Sequence, residues 1–126
     1  MLGKIDNITE KRIHNANYLD QGLSYIKNLK IPKRDKDLKE VFHLYMFECE
    51  RRDELKSFLN ENGIDAKVHY PVPMHLQPAA KVYNYKVGDF PKSEEACSKV
   101  ISLPVHEFIS QDNLEYMVQK IRQFYI

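Results

Sequence analysis

Three prolines stand within the eight residues PVPMHLQP at positions 71–78. Proline has no N–H to donate and its ring clashes with the preceding helical turn, so neither a regular helix nor a central strand can run through this segment. The middle of the chain is therefore an ordered loop or an exposed extended strip, with the regular elements on either side of it. Loops held on a rigid scaffold are also where binding and catalytic groups concentrate.

Upstream, Ile5, Ile8, Ala16, Leu19, Leu23 and Ile26 recur at spacings of three, four or their multiples. This predicts one long amphipathic helix over 4–28. Gly22 is its weak point, costing about 1 kcal/mol relative to Ala in a helix interior, and it signals close packing or a bend. A narrow stripe on so long a helix often docks on something outside its own domain. The charged stretch KIPKRDKDLK at 30–39 has no apolar period and reads as a connection. VFHLYMFEC at 41–49 is β-rich and apolar on both faces, as in a central strand covered on both sides. Asp53 heads a helix with Leu55, Phe58 and Leu59 on one face and Gly63 as its C-terminal cap, and Ile64 to Tyr70 reads as a second strand.

Downstream, Pro91 and Ser93 open a short helix through Val100, and ISLPV supplies a third strand-like piece ending at Pro104. Ser110 is a natural N-cap for a last helix whose stripe is Leu114, Met117, Val118, Ile121 and Phe124. The order of helix, strand, helix, strand, loop, helix, strand, helix predicts an α+β domain, with a small antiparallel or mixed sheet covered by helices.

The chain has 126 residues, of which 43% are hydrophobic and 29% charged. That is the size of one domain able to build a core without disulfides or structural metal. The balance of 19 Lys and Arg against 18 Asp and Glu leaves a formal charge of +1, so no global electrostatic attraction favours nucleic acid or an anionic membrane as partner. No apolar run approaches the ~20 residues of a membrane span, and MLGKIDNITEKR lacks the apolar centre of a signal peptide, which reads as a cytoplasmic protein. Cys49 and Cys97 lie far apart without a CxxC partner. They read as small buried apolar side chains rather than a disulfide, a zinc knuckle or a nucleophile.

The densest set of orientable polar groups is His69, Tyr70, His75 and Gln77, packed around Pro71 and Pro73. Two imidazoles and a phenol can donate to or accept from phosphate, sugar hydroxyl or carboxylate oxygens near neutral pH. Two readings stay open here: a binding loop, or a strand end whose polar tips bond to backbone. A metal site from His69 and His75 with His43 or His106 has no HExxH or paired CxxC spacing behind it. His43, inside an apolar strand, reads as a core or interface histidine. Glu94 and Glu95 read as first-turn charges favouring the positive helix end. Gly3, Gly22, Gly63 and Gly88 are scattered and form no phosphate cradle.

The order of segments says more than any single spacing. IDNITEKRIHNANYLDQGL, EVFHLYMF, RRDELKSFLNENGIDAKVHYPVPMHLQP and DFPKSEEACSKVISLPVHEFIS follow one another as a long helix, a first strand, a helix leading into a His-Tyr-Pro loop, and a helix leading into a Leu-Pro strand. In that order and spacing, over nearly the whole chain, the sequence resembles the C-terminal part of the DegT/DnrJ/EryC1/StrS aminotransferases, which are pyridoxal-phosphate-dependent enzymes acting on nucleotide-linked sugars.

The resemblance implies the small domain of a fold-type-I transferase, with residues 1–29 as the long interdomain helix, 30–126 as the small α+β domain, and the large cofactor-binding domain absent. It places His69, Tyr70, His75 and Gln77 on a loop that approaches the cleft and binds or orients the nucleotide-sugar substrate. Arg12 and His43 match recurrent family positions with structural or cleft-edge roles. No lysine matches the Schiff-base position, so the chain is expected not to transaminate alone. Pyridoxal phosphate, glutamate as amino donor and a homodimer belong to the complete enzyme. Two rivals remain at this point. One is a stand-alone, non-catalytic interaction or dimerisation module. The other is a small metal-dependent hydrolase using His69 and His75.

Overall fold

Tyr45, Phe47 and Cys49 are buried and alternate with the half-buried Met46 and Glu48 along strand β2 (Tyr45–Cys49). That is the two-residue period of a strand with one face fully in the core. In the computed structural model, which describes residues 2–126, β2 is the middle of a three-stranded antiparallel sheet. It pairs with β1 (Leu29–Lys30) through Leu29 opposite Cys49, and with β3 (Val100–Leu103) in a register running from Tyr45 opposite Leu103 to Glu48 opposite Val100. The helices are α1 (Ile5–Leu23), α2 (Arg52–Glu61), α3 (Pro91–Lys99) and α4 (Gln111–Tyr125). The α+β class, the antiparallel sheet and the leading helix agree with the sequence reading.

The core collects one face of α1, α2, α4, β2 and β3. Ala16, Leu19 and Leu23 of α1 meet Leu114, Val118 and Ile121 of α4, with Leu55 and Leu59 of α2 and Ile101 and Leu103 of β3 in the same cluster. The second half of the α1 stripe is thus buried within this chain, while Ile5 at its start is exposed. Gly22 permits the close approach of α1 to α4. Arg122 of α4 also donates to the Gly22 carbonyl. Ser110 caps α4 in a reciprocal box, its Oγ accepting from Asn113 N–H while the Asn113 side chain accepts from Ser110 N–H. Gly63, at φ +77°, ends α2 in the left-handed conformation that glycine adopts without strain.

Four expectations need correction. Helix α1 stops at Leu23 rather than running to residue 28, because the chain must turn back for Leu29 and Lys30 to pair with β2. The stripe continued to Ile26 because that turn still directs Ile26 into the core. The segment at 30–39 is a connection only after its first residue, Lys30, which closes β1. The strand expected over 41–49 begins at Tyr45, since Phe42 takes φ +50° and breaks the extended backbone. The strand expected over 64–70 reduces to a single bridge, Lys67 to Ser102, because the loop that follows leads the chain away from β3. Among the described residues no helix is long and apolar enough to cross a membrane.

Candidate functional site

The proline-rich segment folds into two short 3-10 turns, Met74–Leu76 and Pro78–Tyr83, laid beside α3. Between them opens a cleft of about 540 Å³ whose walls include Tyr70, His75, Gln77, Tyr85, Phe90 and Cys97. Pro91 occupies the first turn of α3, where its missing N–H costs nothing. From beneath, Arg52 of α2, only 9% exposed, donates from Nη1 to the carbonyls of Cys97 (3.0 Å) and Val100 (3.1 Å). It thereby ties α2 to the end of α3.

Within the cleft, His75 is the most enclosed of the expected site residues, its side chain 7% exposed. Its ring lies 4.8 Å from Phe90 and 6.4 Å from Tyr85, centroid to centroid. Its Nε2 lies 3.0 Å from Glu94 Oε1. The same carboxylate accepts from Gly88 N–H at 2.8 and 3.0 Å and from Phe90 N–H at 3.3 Å. These contacts, the Gly88 bond foremost, hold the Glu94 carboxyl below the usual carboxylate range. Gln77 closes the loop on itself by donating from Nε2 to the Val72 carbonyl (3.3 Å), and Tyr70 stands exposed at the cleft wall.

Three of the four expected residues, Tyr70, His75 and Gln77, therefore share one cleft. His69 faces a neighbouring concavity of about 190 Å³ that it lines with Arg12, His43 and His106. There its Nδ1 lies 2.9 Å from Ser102 Oγ. Arg12 binds the carbonyls of Phe42 (3.1 Å) and His43 (3.3 Å) and pairs with Glu107 (3.3 Å). His43 is exposed at this second rim rather than buried in the core, because the bend at Phe42 carries it out of the sheet.

Two further residues depart from expectation. Glu94 stands behind the cleft wall, holding His75 and the Gly88–Phe90 turn, as well as being a first-turn charge. Its neighbour Glu95 pairs with Lys99 on the solvent side. The Glu94 role was not legible locally, since its partners lie at 75, 88 and 90; only its place after the Asp-Phe-Pro run hinted at a turn. Cys97 is half-exposed on the cleft wall rather than buried, whereas Cys49 is buried and its thiol is pushed up to about 11, chiefly by burial.

Chemically, the main cleft is apolar and aromatic with a few polar edges, and none of its lining residues is Lys, Arg, Asp or Glu. Such a lining suits a neutral ring-bearing group, through apolar contact and hydroxyl hydrogen bonds. It supplies neither an amine for an aldehyde nor a cation for a phosphate. Among the described residues no three His, Cys, Asp or Glu side chains are grouped to hold a metal ion.

The profile of the DegT/DnrJ/EryC1/StrS aminotransferase family matches residues 1–122. The chain is 37% identical over 123 residues to the pleiotropic regulatory protein of Geobacillus stearothermophilus, covering 96% of this chain and 33% of that protein. It is 35% identical over 109 residues to the dTDP-3-amino-3,4,6-trideoxy-alpha-D-glucose transaminase of Streptomyces venezuelae, covering 86% of this chain and 28% of that one. The crystal structure of S. venezuelae DesV in complex with a ketimine intermediate superposes with a TM-score of 0.94 at 31% identity, over 98% of this chain and 33% of the other. The chain thus spans about a third of the length of the relatives it matches.

Proposed function

Because the chain belongs to the DegT/DnrJ/EryC1/StrS aminotransferase family, we propose that it forms the sugar-facing wall of a pyridoxal-phosphate-dependent aminotransferase acting on nucleotide-linked keto sugars. The single observation that carries this reading is the uncharged, aromatic cleft built from the His-Tyr-Pro loop and α3, within a fold shared with DesV. In this reading Tyr70, His75 and Gln77 bind and orient the sugar, and His69 acts at the adjoining rim.

Pyridoxal phosphate, which supplies the electron sink for amino transfer when bound, does not fit the residues of this cleft. We assign it to residues outside residues 1–126, and with it the binding of the substrate diphosphate. The division into a leading segment at 1–29, whose helical part is α1, and a small domain at 30–126 follows the same reading. Glutamate as amino donor and a homo-oligomeric, cytoplasmic enzyme complete it. Exposed Met74, Val82, Tyr83 and Val87 beside the cleft support association with further protein surface, since clustered apolar side chains tend to mark interfaces.

The test is a chimera in which this chain replaces the matching last third of the S. venezuelae transaminase. Formation of the aminated nucleotide sugar is expected, with KM for the sugar raised when Tyr70→Ala or Gln77→Ala is introduced. A chimera that folds and takes up the cofactor yet turns over no sugar, or in which both substitutions leave KM unchanged, would overturn the reading.

A further inference from the structure

An ionised carboxylate only accepts hydrogen bonds. The two backbone N–H groups on Glu94 favour its ionised form, so the 3.0 Å contact with His75 requires the imidazole to donate from Nε2. In the neutral ring Nδ1 is then the nitrogen with the free lone pair. Among the described residues nothing bonds to His75 Nδ1, yet no buried side-chain nitrogen or oxygen is left without a partner. Nδ1 is therefore the solvent-reaching edge of a ring that lines the cleft. Phe90 and Tyr85, packed around the imidazole, fix its plane.

We propose that Glu94 is a positioning residue that holds His75 in its Nε2–H form, so that Nδ1 accepts a hydrogen bond from a hydroxyl or amino group of the sugar in this cleft. The ligand half of this inference rests on the reading of the cleft as a sugar site; the tautomer half stands on the chain alone. A lone pair at Nδ1 selects for donors. A phosphate or carboxylate oxygen, with no hydrogen to give, meets that lone pair unfavourably in a cleft without compensating cations.

Long-range proton–nitrogen NMR of the full chain reads the tautomer directly, at a pH where the ring is neutral. The Nε2–H pattern is expected in the wild type. Glu94→Gln should keep it, because the amide oxygen can take over the Gly88, Phe90 and His75 hydrogen bonds. Glu94→Ala should replace the pure Nε2–H pattern by the two-tautomer mixture of an unheld ring while the spectrum stays dispersed. An Nδ1–H pattern in the wild type, or a folded Glu94→Ala with an unchanged tautomer, would overturn the positioning role. Should Glu94→Ala fail to fold, Glu94→Ser, whose hydroxyl is too short to reach His75 Nε2, takes its place with the same two outcomes.

Titration with dTDP-glucose then separates the two halves. The expected result is a shift of the His75 Nδ1 resonance together with the Tyr70 and Gln77 amides. Shifts at Tyr70 and Gln77 without one at Nδ1 overturn the acceptor role and leave the sugar-site reading standing. No shift at any of the three overturns the sugar-site reading, and the acceptor role with it.

Discussion

A Cβ placed on Gly22 would lie 2.7 Å from Val118 Cγ2 and 2.9 Å from Val118 Cγ1. The α1 backbone and the α4 side chain are therefore in direct contact, and a branched, buried valine has little freedom to withdraw. Gly22→Ala gains about 1 kcal/mol of helix propensity but forces an overlap of the kind that costs about 1–3 kcal/mol in packed cores. The expected outcome is a net loss of stability, read as a lower urea midpoint. Adding Val118→Ala should make the alanine at 22 less harmful than it is in the wild-type background.

Asp20 joins three elements. Arg34 donates to it from Nε (2.9 Å) and Nη2 (3.1 Å), and the buried Tyr45 hydroxyl donates to Oδ1 (2.8 Å). Burial and the Asp20 carboxylate together push the Tyr45 hydroxyl strongly upward, so it remains a donor at any ordinary pH. Tyr45→Phe should cost about 1.5 kcal/mol, the scale of one hydrogen bond to a charged group. Asp20→Ala should cost more, because it leaves the hydroxyl without an acceptor and the guanidinium with Glu40 alone. Denaturant melts of the two single variants and the double variant check the coupling.

Arg52 donates from one nitrogen, Nη1, to both carbonyls and from Nε to Asp53 (2.7 Å), and the single ammonium of a lysine cannot point in all of these directions from the same place. Arg52→Lys should therefore lower stability by about 2 kcal/mol. It should also increase amide exchange at the C-terminal end of α3 more than in α1. Uniform loss of protection along the chain would argue that Arg52 acts on global stability alone.

The two thiols should respond differently. The buried thiol of Cys49 rises from its ordinary 9.0 to about 11, so the fold favours its protonated form. Its contribution is fully present below pH 9.0 and is lost as pH rises through about 11. Iodoacetamide at pH 8 should label Cys97 on the cleft wall first and reach Cys49 only in urea. Between pH 9 and 11 the urea midpoint should fall, and Cys49→Ala should remove part of that slope.

Much of this fold was legible because its signals are local. The Ser110 cap, the Leu114–Ile121 stripe, Pro91 at a first turn and Gly63 beyond a last turn each act within a few residues of themselves, and each stands where it was read. The misreadings fall where the partner is distant in sequence. The two-residue length of β1 and the late start of β2 are set by pairing across the sheet and by the bend at Phe42, neither of which leaves a periodic mark.

The candidate site divides along the same line. The sequence by itself determined that residues 71–78 form a proline-stiffened loop, because the absence of proline N–H groups excludes a regular α-helix or a central strand whatever the surroundings. Only the tertiary structure decided that His69 turns to Ser102 while His75 turns to Glu94, and that Tyr70 and Gln77 share a cleft with the second histidine. The physical reason is that a hydrogen bond depends on a separation of a few ångströms in space. His69 and Ser102 stand 33 residues apart in the chain and His75 and Glu94 stand 19 apart, so packing alone brings each pair together.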